Sequence, residues 1–341
     1  MNGRFCLATA YTGMVISTCM SGRCLVAFLA VGIGMFNLRS ATAQPKFGIV
    51  QGAFAEENKT LSRRGAAIQM KQLMLGLTVP VLINGFNSTW WVVDTGAPAC
   101  VIDPNFFQKL VLPASKVRGS KVTKIDDFQI GNFHCDGVGC LVTPIGELKE
   151  LKLPGFQGRF DKTGVIGISL LARYGALLNC RTQQIFLSAA GNLGMSRQKY
   201  EAMGFTYVPL VLTPHNRLEL IGTIGSATCS FIIDTGAFAT TLDESIRSAS
   251  KVPYWESMSK IGGPFHDFKN ASVSFGTASD FKLGNYDAKG TKVSFANLHL
   301  AESGFTHQFG GILGLDFLYY RSAIIDIGGR ALYLKPYSTA H

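Results

Sequence analysis

The sequence predicts an all-β protein of two similar lobes, with short helices and a functional cleft between the lobes. Three observations carry this. The composition has 38 glycines among 341 residues, 47% hydrophobic and only 16% charged, which suits a turn-rich β protein with ample core. One stretch occurs twice, as Trp91-Val92-Val93-Asp94-Thr95-Gly96-Ala97 and Phe231-Ile232-Ile233-Asp234-Thr235-Gly236-Ala237. And residues 164–187 lie over residues 311–334 without a gap, apolar on apolar and turn on turn. Asp94 and Asp234 are 140 positions apart, Gly167 and Gly314 147 apart. Such an internal duplication means two equivalent lobes rather than a multi-repeat solenoid.

The first 43 residues read as a targeting leader. Arg23 precedes an apolar stretch over 24–38, and Ala41-Thr42-Ala43 offers a small-residue cleavage site before Gln44. The stretch is shorter than the ~20 residues that span a bilayer. The expectation is export, to a periplasm or the exterior, with no stable membrane span once the leader is cut. Residues 44–72 are polar and aperiodic, and read as an exposed arm or pro-segment.

The N-terminal lobe is expected over 73–190. A strand at 77–83 leads to Asn84-Gly85, a strong hairpin signal, and residues 89–93 climb to Asp94. A short strand at 100–102 follows, then Asp103-Pro104 opens a helix near 106–110. Strands are expected near 122–125, 128–130 and 139–143, split by Gly131-Asn132 and Asp136-Gly137. Gly164-Val165-Ile166-Gly167, a short helix at 169–173 and a hairpin of 176–178 with 185–187 complete the lobe.

Residues 191–204 are expected as a linker with one short helix, and 205–341 as the C-terminal lobe. There, strands at 207–212, 218–224 and 228–233 lead to Asp234. Thr241-Leu242, a helix after Asp243, Gly311-Ile312-Leu313-Gly314 and a hairpin of 323–325 with 331–334 repeat the first half.

Charge and cysteine content exclude several classes. The formal net charge is +10, but Arg4, Arg23 and Arg39 belong to the leader, leaving 29 basic against 22 acidic residues. No Lys/Arg-rich run suggests a nucleic-acid partner. None of the six histidines stands in a metal or nucleophile spacing, so no metal and no cofactor is expected. Five cysteines lie beyond the leader. Cys135 and Cys140 bracket Asp-Gly-Val-Gly, which reads as a hairpin turn, so they are candidates for a bridge or for plain packing.

The doubled motif carries the chemistry. An apolar strand ending in a carboxylate is unusual, because burying that charge costs several kcal/mol unless it is paired or shared. Two such strands suggest that the carboxyls meet. Carboxylates about 3 Å apart cannot both ionise, so one keeps a proton and the other does not. Such a pair can activate water, one member as general base and one as general acid. Gly96 and Gly236 allow a sharp turn and close backbone approach, their amides could bind the carboxylates, Thr95 and Thr235 could lock the two loops together, and Ala97 and Ala237 keep the site small.

With these motifs the sequence resembles the aspartic proteases of the pepsin and retropepsin type, particularly the bacterial retropepsin-like group with Asp-Thr-Gly-Ala. The resemblance covers about residues 73–187 and 205–335. It implies two acid-protease-type β lobes, a catalytic pair Asp94 and Asp234 facing across a cleft, and apolar-apolar-Gly elements beneath them at Val165-Ile166-Gly167 and Ile312-Leu313-Gly314. With both halves in one chain, the dyad is complete in a monomer. The substrate implied is a polypeptide in extended conformation. A flap over the cleft falls at 116–124 or 261–268, the latter with Gly262-Gly263 as a candidate tip. Asp316 and Asp326, where the first half has Ser169 and Asn179, read as peripheral. The leading function is an exported aspartic endopeptidase. The competing one is a non-catalytic peptide- or polysaccharide-binding protein or inhibitor on the same fold; retention of both Asp-Thr-Gly motifs weighs against it.

Overall fold

The computed structural model describes residues 65–73, 76–145, 163–193, 196–256, 274–298 and 304–338. The leader, most of the arm and the flap candidates Gly262 and Gly263 lie outside the described residues. The chain is mostly β, with 49% of the described residues in strands and 14% in helices, folded as two barrel-like lobes. Among the described residues, strands join in three sheets: one of eight from the first half, one of ten from the second, and one of six drawn from both.

In the first half, Gly76–Ile83 pairs antiparallel with Phe86–Val93. The Asn84-Gly85 turn between them takes φ of 50° and 71°, as a tight hairpin needs. Phe86–Val93 then runs parallel to Gly164–Ile166. That strand is also antiparallel to Cys100–Ile102, which itself runs parallel to Phe133–Val142. The second half repeats the crossing. Leu218–Ile224 pairs with Ala227–Ile233, which lies parallel to Gln308–Leu313. Thr241–Asp243 runs antiparallel to Gln308–Leu313 and parallel to Thr291–Ala296.

Central strands covered on both faces read as unbroken apolar runs, which is why each motif begins with three consecutive apolar residues. Trp91 is fully buried and meets Phe128 edge-on at 5.1 Å. Its neighbour Trp90 points the other way, half-buried, with the Lys71 ammonium 4.8 Å above its ring. Gly164 is required beside Trp91, since a Cβ there would enter the indole.

Three expectations are corrected. Residues 120–130 form one strand, Ser120–Ile130, not two. Asp136-Gly137 is no turn: Gly137 has φ 55°, but the chain continues as strand Phe133–Val142. Cys135 and Cys140 therefore lie five residues apart on one strand, about 16 Å at 3.3 Å per residue, beyond disulfide reach; both are buried free thiols. Third, the end of the expected arm is structural. Ala66–Gln69 pairs with Gln184–Leu187, and Lys71–Leu73 with Gly76–Ile83. For Ala66–Gln69, a pairing partner more than a hundred residues away leaves no local signal.

The six-stranded sheet joins the halves. Its order is Ala66–Gln69, Gln184–Leu187, Leu177–Asn179, Ile324–Asp326, Ala331–Leu334 and Thr206–Pro209. The two terminal hairpins meet edge to edge, Leu178 opposite Ile325. Helix Arg197–Ala202 covers one face, where Tyr200 stacks on Tyr333 at 4.1 Å and packs with Leu177, Phe186 and Ile324.

Candidate active site

Each carboxyl is delivered by a parallel strand pair. Asp94 N–H donates to Ile166 O at 3.0 Å, and Asp234 N–H to Leu313 O at 3.1 Å, the last rungs before the chain turns. The turn folds back on the side chain. Gly96 and Ala97 amides donate to Asp94 Oδ1 at 2.8 and 3.0 Å. Gly236 and Ala237 amides donate to Asp234 Oδ1 at 2.7 and 3.0 Å. Both carboxyls are buried, at 0% and 6% exposure.

The halves interlock through the threonines. Thr95 N–H donates to Thr235 Oγ1 at 3.1 Å, and Thr235 N–H to Thr95 Oγ1 at 3.0 Å. Each hydroxyl then donates onward, Thr95 to Ile233 O at 2.8 Å and Thr235 to Val93 O at 2.7 Å. The amide and hydroxyl of both threonines are thus each matched, as low-dielectric sites favour. Gly96 and Gly236 bring the carboxyls together: a Cβ on Gly96 would overlap the Asp234 carboxyl, and one on Gly236 the Asp94 carboxyl.

The pair is electrostatically split. Burial raises the Asp94 carboxyl well above its ordinary range, and the adjacent Asp234 charge raises it further. Burial also raises Asp234, against the hydrogen bonds from Asp94 and the two turn amides that favour its ionised form. No backbone or hydroxyl donor among the described residues reaches Asp94 Oδ2, and the Asp234 carboxyl lies beside the Asp94 carboxyl. One proton held between two carboxyls, with the larger upward push on Asp94, is the arrangement that can offer an acid and a base at once.

The apolar-apolar-Gly elements form the floor. Ile168 N–H donates to Ala97 O and Leu315 N–H to Ala237 O, both at 2.8 Å. Gly167 and Gly314 fit against the backbone of Ala97, Ala99, Ala237 and Ala239, where a Cβ would collide. Beneath the second loop, Thr240 donates its amide and hydroxyl to Asp316 Oδ1 at 2.9 and 2.7 Å, and its Oγ1 accepts Gly314 N–H at 3.2 Å. Asp316 also accepts from Phe317 N–H at 2.6 Å, and burial pushes its carboxyl up to about 6. So Asp316, expected to be peripheral, braces the loop that carries Asp234. The local signal was available: a carboxylate two residues past Gly314, and a hydroxyl six residues past Asp234.

The motif residues Asp94, Thr95, Gly96, Ala97, Asp234, Thr235, Gly236 and Ala237 thus converge on one point. Cys135 and Cys140 do not join each other. The first flap candidate is a hairpin, Ser115–Val117 with Ser120–Ile130, with an exposed first strand and an exposed turn at Arg118-Gly119. Among the described residues, no group of three or more His, Cys, Asp or Glu could hold a metal, and no helix is long and apolar enough to cross a membrane.

Comparison with known proteins gives three results. No curated protein matches the sequence. Among solved structures, the aspartic proteinase from Irpex lacteus matches with a TM-score of 0.44 and 12% identity, covering 80% of this chain and 98% of that one. The model of the aspartyl protease family matches residues 79–170 and 220–317, more than half of the chain and one segment per lobe. Each matched segment contains one Asp-Thr-Gly-Ala turn and the glycine element beneath it, so the chain belongs to the aspartyl protease family.

Proposed function

We propose that the protein is an exported aspartic endopeptidase in which the Asp94/Asp234 dyad activates water. The observation that carries this is the shared burial of two adjacent carboxyls, each gripped on Oδ1 by two turn amides. Asp234 takes a proton from water as the oxygen attacks the peptide carbonyl carbon, and Asp94 gives its proton to the carbonyl oxygen. The tetrahedral diol then collapses. The C–N bond breaks, the leaving nitrogen takes a proton from Asp234, a diol hydroxyl returns its proton to Asp94, and the starting protonation is restored. Fixed amides stabilise the pair without reorganisation during the step. One chain supplies both carboxyls, so no homodimer is needed. The substrate is an extended polypeptide held by strand-like pairing. The Ala after each Asp-Thr-Gly and the short lobes favour kinship with the bacterial retropepsin-like group, and the leader favours a periplasmic or secreted location.

The test is to incubate the leaderless protein with a denatured protein at acidic and neutral pH, beside Asp94→Asn and Asp234→Asn. Cleavage by the parent and its loss in both variants is the expected result. Cleavage that survives either substitution would remove the dyad from the mechanism. Peptide binding with no cleavage at any pH would favour a binding protein.

A further inference from the structure

Cys100 and Cys140 face each other across neighbouring parallel strands. They are register partners, Cys100 on Cys100–Ile102 and Cys140 on Phe133–Val142. Register partners on parallel strands point to the same face, with backbones about 4.8 Å apart, inside the range a disulfide spans. Both side chains are buried in the N-terminal core, at 0% and 2% exposure.

The second lobe shows what this position does. Thr240 stands six residues past Asp234, as Cys100 stands six past Asp94. Thr240 Oγ1 accepts the Gly314 amide and donates to Asp316. In the first lobe the Cys100 sulfur accepts the Gly167 amide instead, and its second partner is the Cys140 thiol. Ser169 occupies the place of Asp316. One lobe therefore braces its loop with a hydroxyl and a carboxylate, the other with two thiols in contact. The hydrogen bond from Cys140 pulls the Cys100 thiol below its ordinary range, while the Cys140 thiol is pushed well above, by its bond to Cys100 and by burial.

We propose that Cys100 and Cys140 are a disulfide site, closed by exchange with an oxidised small-molecule or protein disulfide as the N-terminal lobe folds. One of the two, as thiolate, attacks a reagent sulfur and releases a reagent thiolate. The other, deprotonated, then attacks the sulfur of the first and displaces the second reagent thiolate. The reagent gains two electrons and two protons as two thiols, and the chain loses two hydrogens. Burial sets the timing: the exchange precedes closure of the strands over the thiols. Cys135, the nearest competitor, stands opposite Phe128, five residues back along the strand.

The protein is refolded in a buffer of oxidised and reduced glutathione, its free thiols are capped with N-ethylmaleimide in denaturant, and the digest is mapped by mass spectrometry without reduction. Expected are a linked Cys100–Cys140 peptide pair and capped Cys135, Cys180 and Cys229. The link should persist in Cys135→Ser and vanish in Cys100→Ser, whose hydroxyl can accept the Gly167 amide as Thr240 accepts that of Gly314. Capping of all five cysteines beyond the leader in the refolded parent, or a link that involves Cys135, would overturn the proposal.

Discussion

Thr95 and Thr235 hold each other's strands: the Thr95 hydroxyl binds Ile233 O at 2.8 Å, and the Thr235 hydroxyl binds Val93 O at 2.7 Å. Each carboxyl loop is therefore anchored on the opposite lobe. Alanine at either position leaves a buried carbonyl and a buried amide without partners, at about 2–4 kcal/mol from the cost of unmade buried hydrogen bonds. Serine keeps the hydroxyl, and should recover most of that loss. Urea unfolding of the four variants checks this; equal stability of Ala and Ser variants would refute it.

The dyad should also appear in the pH dependence of stability. The folded Asp94 carboxyl titrates well above its unfolded value of about 3.9. Above pH 4 and up to the folded value, the native state binds more protons than the unfolded one, so stability falls as pH rises. Asp94→Asn keeps the Oδ1 acceptor and abolishes this titration. Its stability relative to the parent should grow with pH from about 4 and then level off. A difference that stays constant from pH 4 to 8 would contradict the raised carboxyl.

Gly96→Ala and Gly236→Ala test the close approach directly. Each added methyl would occupy the space of the opposite carboxyl, and backbone on both sides is pinned by the threonine bonds. Expected is a loss of hydrolysis of about 100-fold or more, as for other misplacements of roughly 1 Å at a reacting centre. A variant with parental kcat would show that the two carboxyls do not act together.

Asp316 should behave as a positioning residue. Asp316→Ala removes three hydrogen bonds from beneath Thr240 and the helix that follows, at a cost of roughly 2–4 kcal/mol, and should lower kcat more than it raises KM. Asp316→Asn retains the accepting oxygen and should preserve kcat. Because the folded carboxyl sits at about 6, the parent should lose stability between about pH 4 and 6 as this group ionises; the Asn variant should lose less over that window.

The parts legible in the sequence were those whose causes are local or repeated. Asp94 and Asp234 stood out because an apolar strand rarely ends in a carboxylate, and Gly96 and Gly236 because the turn needs close backbone. Asn84-Gly85 was readable from turn chemistry alone. The parts missed depend on distant partners. Ala66–Gln69 is a strand only because Gln184–Leu187 lies beside it. Asp136-Gly137 has the composition of a turn, yet pairing with Ser120–Ile130 carries the chain straight through. The contact of Cys100 with Cys140 required knowing that two strands forty residues apart run parallel.

The six-stranded sheet sets a constraint on synthesis. Its centre joins Leu177–Asn179 to Ile324–Asp326, and Ala331–Leu334 then supports Thr206–Pro209. The segment that completes this sheet lies at the very end of the described chain, and the pairing it makes is long-range, hence slow to form. A chain elongated only as far as the first half holds Asp94 without Asp234, and one that has passed Asp234 still lacks the two strands that join the halves. A copy cut before residue 324 thus loses Ile324–Asp326 and Ala331–Leu334, and with them the sheet that ties the two halves together.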